Sequence, residues 1–307
     1  DEIIRGNLIL RSKIVDLSDI MSEIASDTSE IEDTTALTII KVPENIDFNF
    51  DALIDQFVYN NIKVQNVKGK VIVKDGILSI RETGMDLLGG KISMNADYDT
   101  RDILKPLMKA DMNIESLGVK DAFNTFNTIQ MLAPTAKGVS GKVGVKLSYS
   151  SQLGSDFMPV ISTISGGGKL QTDEVTLVES SVYKLMKESL KPSDKYTNTF
   201  KDINVSFKIN NGRIFVSPFN TKVGNIRMNI SGDQGIDQTI NYVIKTEIPR
   251  TELGSSVNSL IDNLSASAAA LGIAFKPSDI IKVNVKVTGT FLKPLVTPFF
   301  GSNPPDS

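Results

Sequence analysis

The feature that most constrains this chain is a stretch of strict alternation that runs into Asn211-Gly212. Apolar and polar residues alternate before this dipeptide, which is the period-two pattern of a half-buried strand. Asn-Gly is the pair that most favours a two-residue type I′ turn, because both turn positions need a positive φ. In that register Ile209 faces Ile214 and Phe207 faces Val216, so the sequence predicts a hairpin with one apolar face.

A second hairpin of the same design is predicted earlier in the chain. Valines alternate with other residues up to Asp75-Gly76, and the apolar pattern resumes after this turn. The two-residue turn pairs Val73 with Leu78 and Val71 with Ile80. This register matches the later hairpin position for position.

The residues after each hairpin also resemble one another. Gly90 precedes Ile92 and Met94 in the first copy, and Gly224 precedes Met228 in the second with the same four-residue spacing from glycine to methionine. Each copy then continues into a further predicted strand, at about 107–114 and 240–248, and then into a helical pattern. We interpret this similarity as an internal repeat with a long period.

The fold class predicted from these patterns is α+β and β-dominated. Repeated antiparallel hairpin-and-strand units are expected to form a long, twisted and curled sheet with amphipathic helices packed against it. Further strands are predicted at 139–149 and 283–287. Helical spacing of apolar residues predicts helices at about 50–58, 122–129, 182–190 and 253–271.

The predicted domains are a first repeat region at 1–135, which begins partway through a unit, and a second region at 136–300. The last residues, 301–307, are polar and proline-rich and are expected to be a disordered tail. The acidic stretch 26–35 and the segment 191–198 are the predicted linkers.

There are more predicted strands than a few short helices can cover, so part of the apolar sheet face needs another cover. A ligand would fill this role, and an ordinary closed core is the alternative interpretation for each residue. We therefore predict an apolar groove. Its candidate wall residues are Val71, Val73, Leu78, Ile80, Ile92, Met94, Phe207, Ile209, Ile214, Val216, Ile226 and Met228.

The composition excludes several kinds of chemistry. The chain has no His, no Cys and no Trp, so it has no Ser-His-Asp triad, no cysteine nucleophile, no histidine zinc site and no disulfide. Its net charge of −3 gives no reason to expect nucleic acid as a partner. We expect a protein that is not an enzyme, with no cofactor and no metal.

One catalytic alternative remains, a hydrolase that uses carboxylates. Asp173 with Glu174, and Glu30 with Glu32 and Asp33, form acidic clusters. Glycosidase carboxylates usually come from separate elements that flank an aromatic-rich cleft. A solvated charge cluster is therefore the favoured interpretation of both groups.

No stretch of the sequence approaches the ~20 apolar residues that span a bilayer as a helix. The chain starts at Asp1, without a methionine or a signal peptide. We therefore expect any membrane anchor to lie upstream of this sequence.

The order of motifs from Gly166 to Pro298 resembles the C-terminal region of the AsmA family, envelope proteins of Gram-negative bacteria. A glycine-rich strand opening at 166–168 is followed by a short helical stretch and the Asn211-Gly212 hairpin. A strand with Ser231-Gly232 comes next, and the region closes on a Gly-Thr-x-x-x-Pro pattern at 289–294. The resemblance covers about half of the chain directly, and the repeat extends it over most of the rest.

The resemblance implies a periplasmic, β-rich body anchored to the inner membrane in the full-length protein. It also implies a role in outer-membrane biogenesis, with lipid transport along a hydrophobic groove in the larger relatives. The expected partners are phospholipid or another lipid, together with envelope proteins that pair with the sheet edges. The alternative function is a non-catalytic structural or protein-binding scaffold of the cell envelope.

Overall fold

The structure is a computed structural model, and it describes residues 2–16, 39–59, 62–126, 129–130, 133–177, 198–271 and 278–299. Strands dominate these residues, which confirms the β-dominated prediction. The strands are β1 (Ile4–Asp16), β2 (Ile46–Tyr59), β3 (Ile62–Lys74), β4 (Ile77–Leu87), β5 (Gly90–Asp99), β6 (Leu107–Gly118), β7 (Val139–Gln152), β8 (Ser165–Leu177), β9 (Thr199–Asn210), β10 (Arg213–Val223), β11 (Ile226–Gly235), β12 (Ile240–Pro249), β13 (Ile280–Gly289) and β14 (Pro294–Phe299).

The α-helices with described bounds are α1 (Val119–Thr125) and α2 (Ser255–Ala270), and residues 129–130 are also helical. Single 3-10 turns occur at Pro134–Gly138, Ile161–Thr163 and Arg250–Glu252. The predicted helices at 122–129 and 253–271 correspond to these α-helices. The predicted helix at 182–190, the acidic stretch 26–35, most of the 191–198 segment and the tail lie outside the described residues.

The strands follow one another in the sheet in the order of the chain, from β1 to β14. The chain divides into two compact units. Unit 1 comprises residues 1–125, 143–170 and 208–212, and unit 2 comprises 126–142, 171–207 and 213–307. The domain boundary at 135/136 stays a prediction.

In unit 1, strands β2 to β6 form an antiparallel series joined by short connections. Strand β1 departs from the antiparallel pattern, because it pairs with β2 in parallel, with Ile4 opposite Ile46. Parallel neighbours need a crossover of a dozen or more residues, and residues 17–45 separate these two strands in the sequence. In unit 2, the series from β10 to β14 is antiparallel throughout.

The prediction of a helix at 50–58 is wrong, because these residues belong to β2. The apolar residues of this segment satisfy both a helical spacing and an alternating one, so periodicity alone was ambiguous here. Asp47, Asn49 and Asp51 alternate with Phe48 and Phe50 and favour the strand. Pairing with β1 on one side and β3 on the other satisfies the backbone groups of β2 on both edges.

The hairpin predicted at Asp75-Gly76 is confirmed, with Val73 opposite Leu78 and Val71 opposite Ile80. The two turn residues have φ of 50° and 75°, as a type I′ turn requires. At the second predicted turn, Asn211 and Gly212 have φ of 49° and 72° and separate β9 from β10.

Both copies of the repeat contain a β-bulge at the corresponding position, which the sequence analysis did not predict. The β4–β5 register shifts between Ile80 and Thr83, and the β10–β11 register shifts between Val216 and Phe219. Both shifts place one extra residue on the first strand of the pair, which is a β-bulge. The second copy has a proline within its bulge, a position that sheets tolerate because no ladder hydrogen bond is lost.

The bulge positions align the two copies with an offset of 136 residues, which is the offset between the two hairpin turns. On this alignment Met94 corresponds to Ile230 and Ile92 corresponds to Met228. The sequence comparison that matched Met94 with Met228 was therefore wrong by two residues. A two-residue error keeps every side chain on its face of the strand, so the apolar pattern looked the same in both alignments.

Candidate functional site

The register of unit 1 brings apolar side chains from six strands onto one side of the sheet. Leu8 is paired with Phe50, Phe50 with Val71, and Val71 with Ile80. These four side chains therefore lie on the same side of strands β1 to β4. We define the first apolar face by these residues together with Ile4, Leu10, Ile14, Phe48, Ile54, Val73, Leu78, Met85, Leu87, Ile92, Met94, Ala96, Tyr98, Met108, Ala110, Met112 and Ile114.

The opposite side of the same six strands carries the ion pairs, with scattered apolar residues such as Ile9, Leu53 and Ile72 among the charged ones. Lys74 Nζ lies 2.9 Å from Asp47 Oδ2, and Arg81 Nη2 lies 2.5 Å from Asp97 Oδ1. The ion pair with Asp47 raises the pKa of Lys74. Unit 1 is therefore a strongly amphipathic sheet, wetted on one side as antiparallel sheets often are.

The first apolar face combines buried residues, such as Ile54, Ala96 and Ala110, with larger side chains that are half-buried. Phe50, Val71, Ile80, Met94 and Met112 all fall in this class. Exposure increases towards the edge strand β1, where Leu8 is 58% exposed and Ile14 is 64% exposed. A contiguous, partly exposed apolar surface of this kind typically marks a binding site.

One end of the first apolar face is closed by a small core. Val42, Tyr98 and Leu153 are buried together there, and Phe157 packs on them with its ring centroid 5.3 Å from that of Tyr98. The Tyr98 hydroxyl donates a hydrogen bond to the carbonyl of Ile40. Burial raises the pKa of Tyr98 above its ordinary value.

Hydrogen bonds through the Thr100 side chain hold the closed end of the first apolar face together. The Val42 N–H donates to Thr100 Oγ1 at 2.8 Å, and Thr100 Oγ1 donates to the Gly76 carbonyl at 3.1 Å. Thr100 is itself fully buried. These hydrogen bonds tie the segment before β2 to the β3–β4 turn and satisfy the polar atoms that the core would otherwise leave unpaired.

Unit 2 carries a second apolar face, defined by Ile214, Val216, Phe219, Thr221, Val223, Ile226, Met228, Ile230, Ile240, Tyr242, Ile244, Thr246, Ile248, Ile281, Val283, Val285, Val287, Val296 and Pro298. Its centre is a core, because Ile248 and Val285 have no exposed surface and Val287 is 1% exposed. The Thr246 hydroxyl is buried with them and donates to the carbonyl of Val283. The second face is therefore closed where the first is half-open.

The predicted wall residues differ in their burial. All six from the first copy lie on the first apolar face and are half-buried: Val71, Val73, Leu78, Ile80, Ile92 and Met94. Among the six from the second copy, Ile209, Ile226 and Met228 are buried, while Phe207, Ile214 and Val216 are half-buried. The open interpretation thus fits the first copy better than the second.

The sequence prediction missed the contribution of β1 and β2 to the first apolar face. Leu8, Phe48, Phe50 and Ile54 lie on this face, and none was among the candidate wall residues. The signal was present in the alternation of β2, but the assignment of a helix to residues 50–58 concealed it. For β1, only the parallel pairing with β2 shows which side of the strand is the apolar one.

Of the two acidic clusters, the pair Asp173 and Glu174 lies in the described residues. Asp173 and Glu174 are adjacent and exposed on β8, and Glu174 Oε2 lies 3.2 Å from Lys201 Nζ. Glu30, Glu32 and Asp33 lie outside the described residues. The part of the chain that the structure describes contains no group of three or more acidic side chains arranged to hold a metal ion.

Comparison with known proteins finds no matching family model, no matching curated protein and no matching solved structure. Within the described residues, no helix combines the length and the apolar character that crossing a membrane requires. The functional conclusion therefore depends on the geometry and chemistry of the site.

Proposed function

We propose that this chain is the periplasmic portion of an AsmA-like protein that supports outer-membrane biogenesis by shielding or passing lipid acyl chains along the first apolar face. The observation that carries this proposal is the combination of six apolar strand faces, left half-buried in unit 1, with a charged opposite side. Acyl chains would cover this surface and leave the charged side in water. The proposal involves no bond chemistry and no cofactor.

The side chains of the first apolar face suit a flexible, apolar ligand. Met94 pairs with Met112 across β5 and β6, and Met85 pairs with Ile92 across β4 and β5. Methionine has an unbranched and polarizable side chain that adapts to irregular partners. Each buried methylene of an acyl chain would contribute about 0.8 kcal/mol, so a face of several strands provides useful affinity without a polar anchor.

The proposal also includes the shape of the sheet and the position of the helices. We propose that the sheet is curled and that amphipathic helices lie against it and cover part of its apolar surface. The burial of Ala122, which is 2% exposed, supports this arrangement for α1. A membrane anchor upstream would keep the apolar face close to its lipid source.

The central test is lipid binding by a variant with a charge on the first apolar face. Met94→Asp places a carboxylate in the middle of the face, where an acyl chain would have to desolvate it. We expect binding of a fluorescent phospholipid to weaken roughly tenfold or more. Native mass spectrometry of protein purified from cells should show lipid bound to the wild type and lost from the variant.

The matched control is Ser93→Asp, which introduces the same side chain on the adjacent residue. Ser93 is exposed on the charged side of β5, so lipid binding should remain at the level of the wild type. Circular dichroism would show whether each variant folds. If Met94→Asp unfolds the chain, or if folded Met94→Asp binds phospholipid as well as Ser93→Asp does, the first apolar face is a core and the proposal is wrong.

A further inference from the structure

The two terminal strands of the described sheet differ in their capacity to accept another strand. Strand β14 has six residues and contains Pro294 and Pro298, which have no N–H to offer a neighbour. Strand β1 has 13 residues and no proline. Long edge strands without proline are templates for pairing with another chain.

The hydrogen-bonding direction of β1 follows from its first bond. The Ile4 N–H donates to the Asn45 carbonyl at 2.9 Å, so Ile4 and the other even-numbered residues direct their N–H and C=O groups to β2. In a parallel ladder the alternate residues direct theirs to the other side. The backbone groups of Arg5, Asn7, Ile9 and Arg11 therefore face away from β2, at the free edge among the described strands.

Across the three strands β1 to β3, the sign of the charged residues on the charged side of unit 1 changes from each strand to the next. On this side β3 carries Lys68, Lys70 and Lys74 with no carboxylate. Strand β2 carries Asp47, Asp51 and Asp55 with no cation.

Strand β1 again carries three cations on the charged side, Arg5, Arg11 and Lys13, with no carboxylate there. Arg5 Nε lies 3.9 Å from Asp47 Oδ2, which shows how the opposite charges meet across a strand pair. The next strand in this series would be acidic.

We propose that the free edge of β1 is a docking site for an extended segment of another polypeptide that alternates apolar and acidic residues. Its backbone would pair with the outward N–H and C=O groups of β1. Its apolar side chains would extend the first apolar face beyond Leu8 and Ile14, and its carboxylates would lie beside Arg5, Arg11 and Lys13.

A second copy of this chain is a poor occupant of the same edge. Antiparallel pairing of β1 with itself around Ile9 places Arg5 opposite Lys13 twice. Like charges that face each other across a strand pair are destabilising. The charge pattern therefore selects a partner with an acidic face over self-association.

The test uses two short peptides, one alternating valine and glutamate and the other alternating valine and lysine, each with a fluorescent label. Anisotropy titration of the full chain should show binding of the glutamate peptide that is about tenfold tighter than that of the lysine peptide, and the difference should shrink as salt is added. Ile9→Pro removes an outward N–H and no bond to β2, so it should abolish peptide binding.

The charge reversal Arg5→Glu/Arg11→Glu/Lys13→Glu provides a second test that leaves the backbone unchanged. It should invert the peptide preference, so that the lysine peptide binds more tightly. Lys91→Glu, on the same charged side but on β5, should have no effect.

Equal binding of the two peptides, or an unchanged preference after charge reversal, would overturn the proposal. Concentration-dependent dimerisation that Ile9→Pro removes would assign the edge to a second copy instead. Because these measurements involve no lipid, they are independent of the proposed function.

Discussion

At the scale of single residues, the first apolar face depends on a close approach between two strands at the β3–β4 irregularity. A Cβ placed on Gly69 would lie 2.5 Å from Thr83 Oγ1 and 3.1 Å from the Thr83 Cα. The second contact is with backbone, so a side chain at this position cannot be accommodated by a change of rotamer. Gly69 is therefore required by its neighbour across the strand pair and not by an unusual φ.

We expect Gly69→Val to lower the free energy of unfolding by about 1–3 kcal/mol, because it overpacks this contact. Urea denaturation would measure the change. Gly84→Val is the matched control, since a Cβ there meets only the flexible Lys68 side chain, with Cε at 3.0 Å. Equal free energies of unfolding for the two variants would contradict this prediction, because they would show that Thr83 moves aside at little energetic cost.

A second residue-scale prediction concerns Asp99 and acid. The Arg101 side chain donates hydrogen bonds to both Asp99 oxygens, and these bonds lower the pKa of Asp99. A lowered pKa stabilises the folded state at pH values above the unfolded pKa of about 3.9, and this stability is lost as the pH falls through the folded value. Arg101→Gln should therefore destabilise the protein at neutral pH and have a smaller effect in strong acid.

Chemical denaturation of the wild type and Arg101→Gln across the acidic range would measure this difference. The gap between their denaturation midpoints should narrow steadily as Asp99 becomes protonated. A gap that stays constant from neutral pH to strong acid would mean that Arg101 acts through its packing and not through its charge.

At the scale of elements, the bulge in β4 determines which side chains reach the first apolar face. Glu82 has φ of 51° and is the extra residue between Ile80 and Thr83. Beyond it, Met85 and Leu87 lie on the apolar side. Because side chains alternate along a strand, removal of one residue would turn both of them to the charged side.

Deletion of Glu82 should therefore cost about 3 kcal/mol or more in the free energy of unfolding, or prevent folding. Glu82→Gly keeps the chain length and suits the positive φ, so its stability should stay within about 0.5 kcal/mol of the wild type. The exposed Lys70–Glu82 ion pair lost in both variants contributes little. Thermal unfolding would measure the stability of both variants. A deletion variant as stable as the wild type would show that β4 can shift its register at no cost in stability, and would contradict the prediction.

At the scale of the whole molecule, the two apolar faces differ in how far they are buried. The centre of the second apolar face is buried, whereas the first includes half-buried side chains in its middle and exposed ones at β1. Methionine oxidation reports this difference directly, because the reaction follows exposure of the sulfur. The chain has suitable probes in Met94, Met112, Met228 and the loop residue Met158.

Brief peroxide treatment followed by peptide mass spectrometry should oxidise Met158 first, since it is 48% exposed. Met94 and Met112 should follow, and Met228, which is 6% exposed, should react last. Addition of phospholipid should protect Met94 and Met112 but leave Met158 unchanged. If phospholipid protected Met228 from oxidation but left Met94 unprotected, the assignment of lipid to the first apolar face would be contradicted.

The sequence by itself determined the local features of this protein. The turns at Asp75-Gly76 and Asn211-Gly212 were predictable because a positive φ at both positions restricts the residue types. The register of the first hairpin follows from its turn length. The six wall residues of the first copy share one face for the same reason, since alternation and a tight turn depend only on near neighbours in the chain.

Only the tertiary structure decided the features that depend on distant partners. The identity of β2 as a strand required its pairing with β1 and β3, because its apolar spacing was compatible with a helix as well. The parallel direction of β1 depends on pairing with residues more than forty positions away along the chain. The closure of the second apolar face and the half-open state of the first also depend on which distant segments cover each strand, and an alternating pattern contains no information about its cover.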